Sequence, residues 1–215
     1  MEIINSTIIN GELQETSVEE VFELTWQLDE TPNFIAQDKR YKNSKEYREK
    51  RFNRYEHFTK FINAMYPNAK NILDVGTGNS ESSILLKKLG YNVTAMDIFN
   101  IFQIAVLNHH QINYIINHFD LKTDIKDYDL VTGLHCCTGI EKIIRNCLYE
   151  DKEFVVTICE KNQGLYQTKP NNTRKEYIEY LKNISSKIKM TKLPIYDLNE
   201  EEYFGETIYY KKSLK

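Results

Sequence analysis

Long apolar runs, an excess of one charge sign and paired cysteines are all missing from this chain of 215 residues. No apolar stretch reaches the ~18 residues that a membrane-spanning helix needs, and no signal-peptide pattern is present, so neither a membrane span nor a secreted product is expected. The formal net charge of -3 is too near neutrality for the whole molecule to be drawn to nucleic acid or a lipid surface. Cys136, Cys137, Cys147 and Cys159 are not spaced as a disulfide framework and include no CxxC pair, which makes a reducing cytoplasm the expected setting. What remains is a chain long enough to bury a sizeable core as one domain with an appended cap.

One densely patterned stretch stands out, Asn71 to Ile98, NILDVGTGNSESSILLKKLGYNVTAMDI. Ile72, Leu73 and Val75 before Gly76-Thr77-Gly78 predict a strand buried on both faces of a parallel sheet and closed by a glycine turn. Asn79 or Ser80 is placed to cap a helix through Ile84, Leu85, Leu86 and Leu89, and Gly90 to end it in a left-handed cap. Tyr91 to Ile98 predicts the next strand, with Asp97 at its carboxyl end. Such a βαβ unit binds ligands in the crevice beyond its strand ends.

The charges select the ligand. A dinucleotide's pyrophosphate favours a third glycine and no carboxylate nearby, but Glu81 replaces the third glycine of GxGxxG and Asp74 precedes the turn. Carboxylates there favour a cationic ligand. Asp97, roughly 20 residues beyond the glycines, suits the two hydroxyls of a ribose.

Asp74-Val75-Gly76-Thr77-Gly78 followed by Asp97 resembles the cofactor motifs of the class I S-adenosylmethionine-dependent methyltransferases, with Ser80 where that family usually has its third glycine. The resemblance implies an α/β fold: a Rossmann-like, doubly wound, mostly parallel seven-stranded sheet with an antiparallel last strand over residues 67–215, and an N-terminal helical extension over residues 1–66. It implies S-adenosyl-L-methionine as cofactor, held by Asp74, Gly76, Thr77 and Gly78 at the methionine end and by Asp97 and Ile98 near the ribose. Phe119 and Asp120 would meet the adenine; a shift in register would give that role to His118 or Asn117.

The remaining elements fit that plan. Phe99 to Asn108 predicts a short helix, and Gln111 to Asn117 the third strand. Tyr128 to Leu134 predicts the fourth, which delivers His135-Cys136-Cys137 to the edge that faces the transferred methyl group in the family resembled. Glu153 to Cys159 predicts the fifth. Thr173-Arg174-Lys175-Glu176 is a capping box, and Lys189 to Ile195 and Gly205 to Lys211 predict a closing antiparallel pair with Pro194 at the edge.

The Asp/Asn-Pro-Pro-aromatic motif of amino-group methylation is absent. Leu134-His135-Cys136-Cys137, with Glu141, Arg145 and Cys159 beyond it, resembles a branch that includes tRNA ribose methyltransferases, although that branch reads Cys-Gly where this chain reads Cys137-Thr138. His135 is the catalytic candidate, a general base with an ordinary pKa near 6.5. Two other readings stay open: His135, Cys137 and Cys159 holding zinc, or cysteines that are small buried hydrophobes.

The N-terminal part is polarised. From Glu12 to Glu30 there are seven acids and no base, within which Ser17-Val18-Glu19-Glu20 has the form of a capping box; residues 1 to 11 suggest an edge strand or a frayed arm. From Lys39 to Lys60 bases alternate with Tyr41, Tyr47, Phe52, Tyr55 and Phe58. That pattern fits either a nucleic-acid surface or an amphipathic helix that buries its rings and solvates its charges. The activity expected is methyl transfer to RNA or a small molecule. Its rivals are a non-catalytic S-adenosylmethionine-binding or regulatory protein and a NAD-dependent enzyme.

Overall fold

The computed structural model of the chain describes residues 3–9, 12–17, 45–78, 80–98, 101–136, 139–158, 173–196 and 202–212. A hairpin of β1 (Ile3–Ile9) and β2 (Glu12–Ser17) forms a small antiparallel sheet of its own, with Ile9 opposite Glu12 and Ile3 opposite Ser17. The edge strand expected at the start is therefore real but pairs locally. Ser17 is the last residue of β2; the helix that the capping box at Ser17 is expected to open, carrying Val21 to Leu28 and closed by Pro32, falls outside the described residues.

The main sheet contains β3 (Asn71–Val75), β4 (Asn92–Asp97), β5 (Asn113–Ile116), β6 (Leu130–Leu134), β7 (Glu153–Thr157), β8 (Lys189–Tyr196) and β9 (Glu202–Tyr210). Their spatial order is β5-β4-β3-β6-β7-β9-β8. β5, β4, β3, β6 and β7 run parallel, and β9 inserts antiparallel between β7 and β8. Every residue of β6 is buried, as a central strand covered on both faces requires. Pro194 sits on β8, the edge strand, where a missing N–H costs no ladder bond.

Alternate residues of each central strand feed opposite cores, as the period of two dictates. On one face Leu73, Val131, Phe154 and Val156 pack with Ile140, Ile143 and Ile144 of α4 (Ile140–Tyr149) and with Ile178 and Leu181 of α5 (Arg174–Lys182). On the other, Ile72, Leu130 and Val155 pack with Phe58 and Ile62 of α1 (Lys45–Met65), Leu86 of α2 (Glu81–Lys88) and Leu107 of α3 (Ile101–His109). Just past the end of α1, Tyr66 donates its hydroxyl to the carbonyls of Phe154 (3.3 Å) and Tyr210 (2.9 Å), pinning the chain to β7 and β9. Burial pushes that phenol well above its ordinary pKa. The rings of Tyr55 and Phe58 are thus core, the amphipathic alternative for this part of the basic aromatic segment.

Local signals account for several helix ends. α2 ends in a Schellman arrangement: Gly90, at φ 96°, donates to the Lys87 carbonyl (3.0 Å) and Tyr91 to that of Leu86 (3.2 Å). α5 opens on the capping box, the Thr173 hydroxyl accepting from the Glu176 N–H and the Glu176 carboxylate from the Thr173 N–H. Arg174 beside it forms an ion pair with Glu206 of β9. Among the described residues no helix is long and apolar enough to cross a membrane.

Candidate functional site

Chain order places the crevice. β3 is followed by β4 and β5 on one side, and the chain then returns to place β6 on the other side of β3, so the carboxyl ends of β3 and β6 flank a topological switch point. The turn Gly76-Thr77-Gly78 leaves β3 there.

The two glycines of the turn answer to different neighbours. Gly76 has φ 67°, and a Cβ on it would lie 2.4 Å from the Cβ of Cys136, so the turn and the segment after β6 touch at this point. Gly78 has φ 55°, but a Cβ there would meet nothing within 4 Å. It borders open space. The Gly78 N–H donates to Asp97 Oδ2 (2.9 Å), while Gln103 of α3 donates to the Gly78 carbonyl (2.8 Å). Asp97 Oδ1 accepts from the Ile98 N–H (2.7 Å). The carboxylate at the end of β4 is therefore fixed by two backbone donors, and each oxygen retains acceptor capacity toward the crevice. Beside it the Ile98 side chain is 54% exposed.

Asp74 behaves differently from expectation. Its carboxylate is fully buried, Oδ2 accepting from the hydroxyls of Ser82 (2.6 Å) and Ser83 (2.7 Å) and Oδ1 from that of Thr132 (2.8 Å). Burial raises its pKa and the three hydroxyls oppose the rise. The expected direct contact with a ligand is not what this geometry offers, because an enclosed carboxylate acts on a cation through its field. Glu81 is buried as well. Ser80 stands at the N-cap of α2, but in left-handed backbone (φ 70°) and without a side-chain cap bond, so the cap expected from Asn79 or Ser80 is not made by Ser80, and Asn79 lies outside the described residues. The hydroxyls of Thr77 and Ser80 are buried in the turn without a hydrogen-bond partner among the described residues.

Beyond β5 the sequence and the structure diverge again. Phe119 is buried in the core with Val75 and Met96, not displayed as a wall. Asp120 closes its own turn, its carboxylate accepting from the Lys122 N–H (2.7 Å), and Asn146 of α4 donates to the Asp120 and Thr123 carbonyls. The exposed groups at this end of β5 are Ile116, Asn117, His118 and Asp120 itself.

His135 follows β6 in left-handed backbone, φ 59°, with its N–H donated to the Thr157 carbonyl (3.0 Å). Its pKa falls to about 3 because burial disfavours the imidazolium and the Arg54 guanidinium of α1 repels it. It is a neutral, hydrogen-bonding ring at physiological pH and a feeble proton acceptor, which weakens the expected general-base role. Cys136 and Cys147 are buried and their thiols are pushed up by desolvation, so both are inert hydrophobes here. Cys137 and Cys159 lie outside the described residues. Among the described residues no group of three His, Cys, Asp or Glu side chains is arranged to hold a metal.

Sequence reasoning missed Arg54 beside His135 and the hydroxyl cluster around Asp74. The second had a signal: Thr132 interrupts an apolar strand, and Ser82-Ser83 open the helix after the turn.

The profile of the family described as Tellurite resistance protein TehB matches residues 40–132, less than half of the chain. No curated protein matches by sequence. Among solved structures, magnesium protoporphyrin IX methyltransferase (ChlM) from Synechocystis PCC 6803 with bound SAH superposes with a TM-score of 0.58 at 14% identity, over 90% of this chain and 99% of that one. The plantazolicin methyltransferase BpumL in complex with SAH gives 0.51 at 16% identity, over 91% and 98%. The methyltransferase domain of bacterial CtHen1-C gives 0.52 at 16% identity, over 76% and 100%. The fold is that of the class I methyltransferases. Its seven strands, mostly parallel with β9 antiparallel, are the sheet expected from the sequence.

Proposed function

We propose that this chain is an S-adenosylmethionine-dependent methyltransferase working in a reducing cytoplasm on an RNA or a small-molecule acceptor. The observation that carries the reading is Asp97, held by the Gly78 and Ile98 N–H groups at the end of β4 with the exposed Ile98 beside it. In this reading the Asp97 oxygens accept from the ribose hydroxyls and Ile98 supplies an apolar wall for the adenine. The open side of Gly78 lets a ligand approach the backbone, and the buried hydroxyls of Thr77 and Ser80 offer hydrogen bonds to its amino-acid end. The neighbours bound to SAH support the same choice, as does the negative field of Asp74 and Glu81 beneath the turn, which opposes a dinucleotide's pyrophosphate.

The cofactor supplies an electrophilic methyl group on sulfur. The chain's contribution is alignment, since an in-line displacement gains most from a fixed approach. His135, neutral and anchored through its N–H to β7, orients the acceptor by hydrogen bonding.

Titration calorimetry with S-adenosylmethionine and S-adenosylhomocysteine tests the reading. Both should bind, and Asp97→Ala should weaken both by more than about tenfold, the loss of at least one good hydrogen bond to a charged group. Absence of heat at millimolar ligand rejects the cofactor; unchanged affinity in the variant rejects the role of Asp97. The weak basicity of His135 favours one alternative, a binding protein without turnover, which predicts the same heats but no acceptor labelled by radioactive methyl groups.

A further inference from the structure

Resting on the methyltransferase reading, we propose that the acceptor is a small molecule bearing a carboxylate and that the Arg54 guanidinium holds this carboxylate beside His135. Arg54 precedes Tyr55 on α1, and Tyr55 packs in the same core cluster as Leu134, the residue before His135. The guanidinium is near enough to the carboxyl end of β6 for its charge to act on the His135 imidazole. Among the described residues its hydrogen bond and its ring contact are both with Tyr55: Nη2 donates to the Tyr55 hydroxyl and the guanidinium lies 4.5 Å from the centre of the Tyr55 ring. Stacking of this kind fixes the plane of the fork.

The rest of the guanidinium is unanswered. Nε is buried without an acceptor, and among the described residues no carboxylate pairs with Arg54. A buried donor left unmade costs about 1–3 kcal/mol. A planar carboxylate would satisfy Nε and a terminal nitrogen together through two parallel N–H···O bonds, the arrangement for which arginine is suited. The neutral imidazole adds no second positive charge, so the site suits one anionic group and not a string of phosphates. Over residues 54–60 the rings of Tyr55 and Phe58 are buried and Lys60 is paired with Glu56. Neither stacking platforms nor a row of free cations is offered by this part of α1.

The test follows the Arg54 Nε–H resonance in the 15N-labelled full chain, saturated with S-adenosylhomocysteine, as benzoate is added at constant ionic strength. A saturable shift is expected, and calorimetry should show Arg54→Gln weakening benzoate binding by about tenfold or more with S-adenosylhomocysteine affinity retained. A resonance that does not move, or a variant that binds benzoate like the parent, overturns the proposal. A shift caused by a uridine oligonucleotide but not by benzoate also overturns it, in favour of nucleic acid. Should Arg54→Gln fail to fold, the wild-type resonance decides alone. If S-adenosylhomocysteine gives no heat, the methyltransferase reading falls separately, and the benzoate titration repeated without it still decides whether Arg54 is an anion site.

Discussion

Gly76 and Gly78 stand two residues apart, share a left-handed backbone and answer to different constraints. At Gly76 a methyl group adds a collision with Cys136 to the backbone strain; at Gly78 it adds strain alone. Left-handed strain costs about 1–2 kcal/mol and overpacking a further 1–3, so Gly76→Ala should lose roughly 2–5 kcal/mol in urea unfolding and Gly78→Ala about 1–2. Equal losses would show that Cys136 yields freely. In ligand titration the order should reverse, because a Cβ added at Gly78 points into the space the cofactor would use. Asp74 makes a prediction of opposite character. Its folded pKa is raised by burial while its unfolded value is ordinary, so the native state binds the extra proton between the two. Its contribution to stability is therefore complete below the ordinary carboxylate pKa and is lost as pH rises through the folded value. The stability of the wild type relative to Asp74→Asn should fall across that window, measured by urea unfolding at several pH values; a pH-independent difference would refute the raised pKa. At this scale the sequence was legible where neighbours along the chain set the geometry, as in the position of Asp97 at the end of β4. It was misleading at Phe119 and Asp74, whose burial depends on α4, α2 and β6 arriving from elsewhere.

At the scale of elements, most of the pattern was readable because it obeys local rules. The capping box at Thr173 and the left-handed stop at Gly90 appear where turn chemistry places them. The apolar runs that predicted strands became the buried interior of a parallel sheet, with β5 and β6 starting two residues later than expected and β5 ending one residue earlier. Ser80 is an exception: it has the side chain of a cap but not the backbone, which is left-handed there where an N-cap is ordinarily extended. The basic aromatic segment offered two readings that composition cannot separate, since an amphipathic helix and a stacking platform use the same residues. The sheet decides for Tyr55, Phe58 and Ile62, which fill the face that α2 and α3 leave uncovered.

For the molecule as a whole, this makes α1 a wall of the fold. A boundary after residue 66, expected from the sequence, would run through the core cluster that joins Tyr55, Phe58, Ile62 and Tyr66 to Ile72, Leu86, Leu130 and Val155. Phe58 is almost completely buried, so Phe58→Ala should cost about 3–5 kcal/mol, close to the whole stability of a marginal domain. A fragment of residues 67–215 should accordingly lack a cooperative thermal transition and expose the sheet face to a hydrophobic dye. A fragment that melts cooperatively near the temperature of the full chain would show instead that α1 is an accessory cap. The distinction bears on function, because the helix that closes the core also carries Arg54 to the end of β6. With Arg54 as the proposed acceptor site, a mutation deep in α1 such as Phe58→Ala should disturb both core packing and benzoate binding, while Gly78→Ala at the turn should disturb cofactor binding with little effect on the sheet.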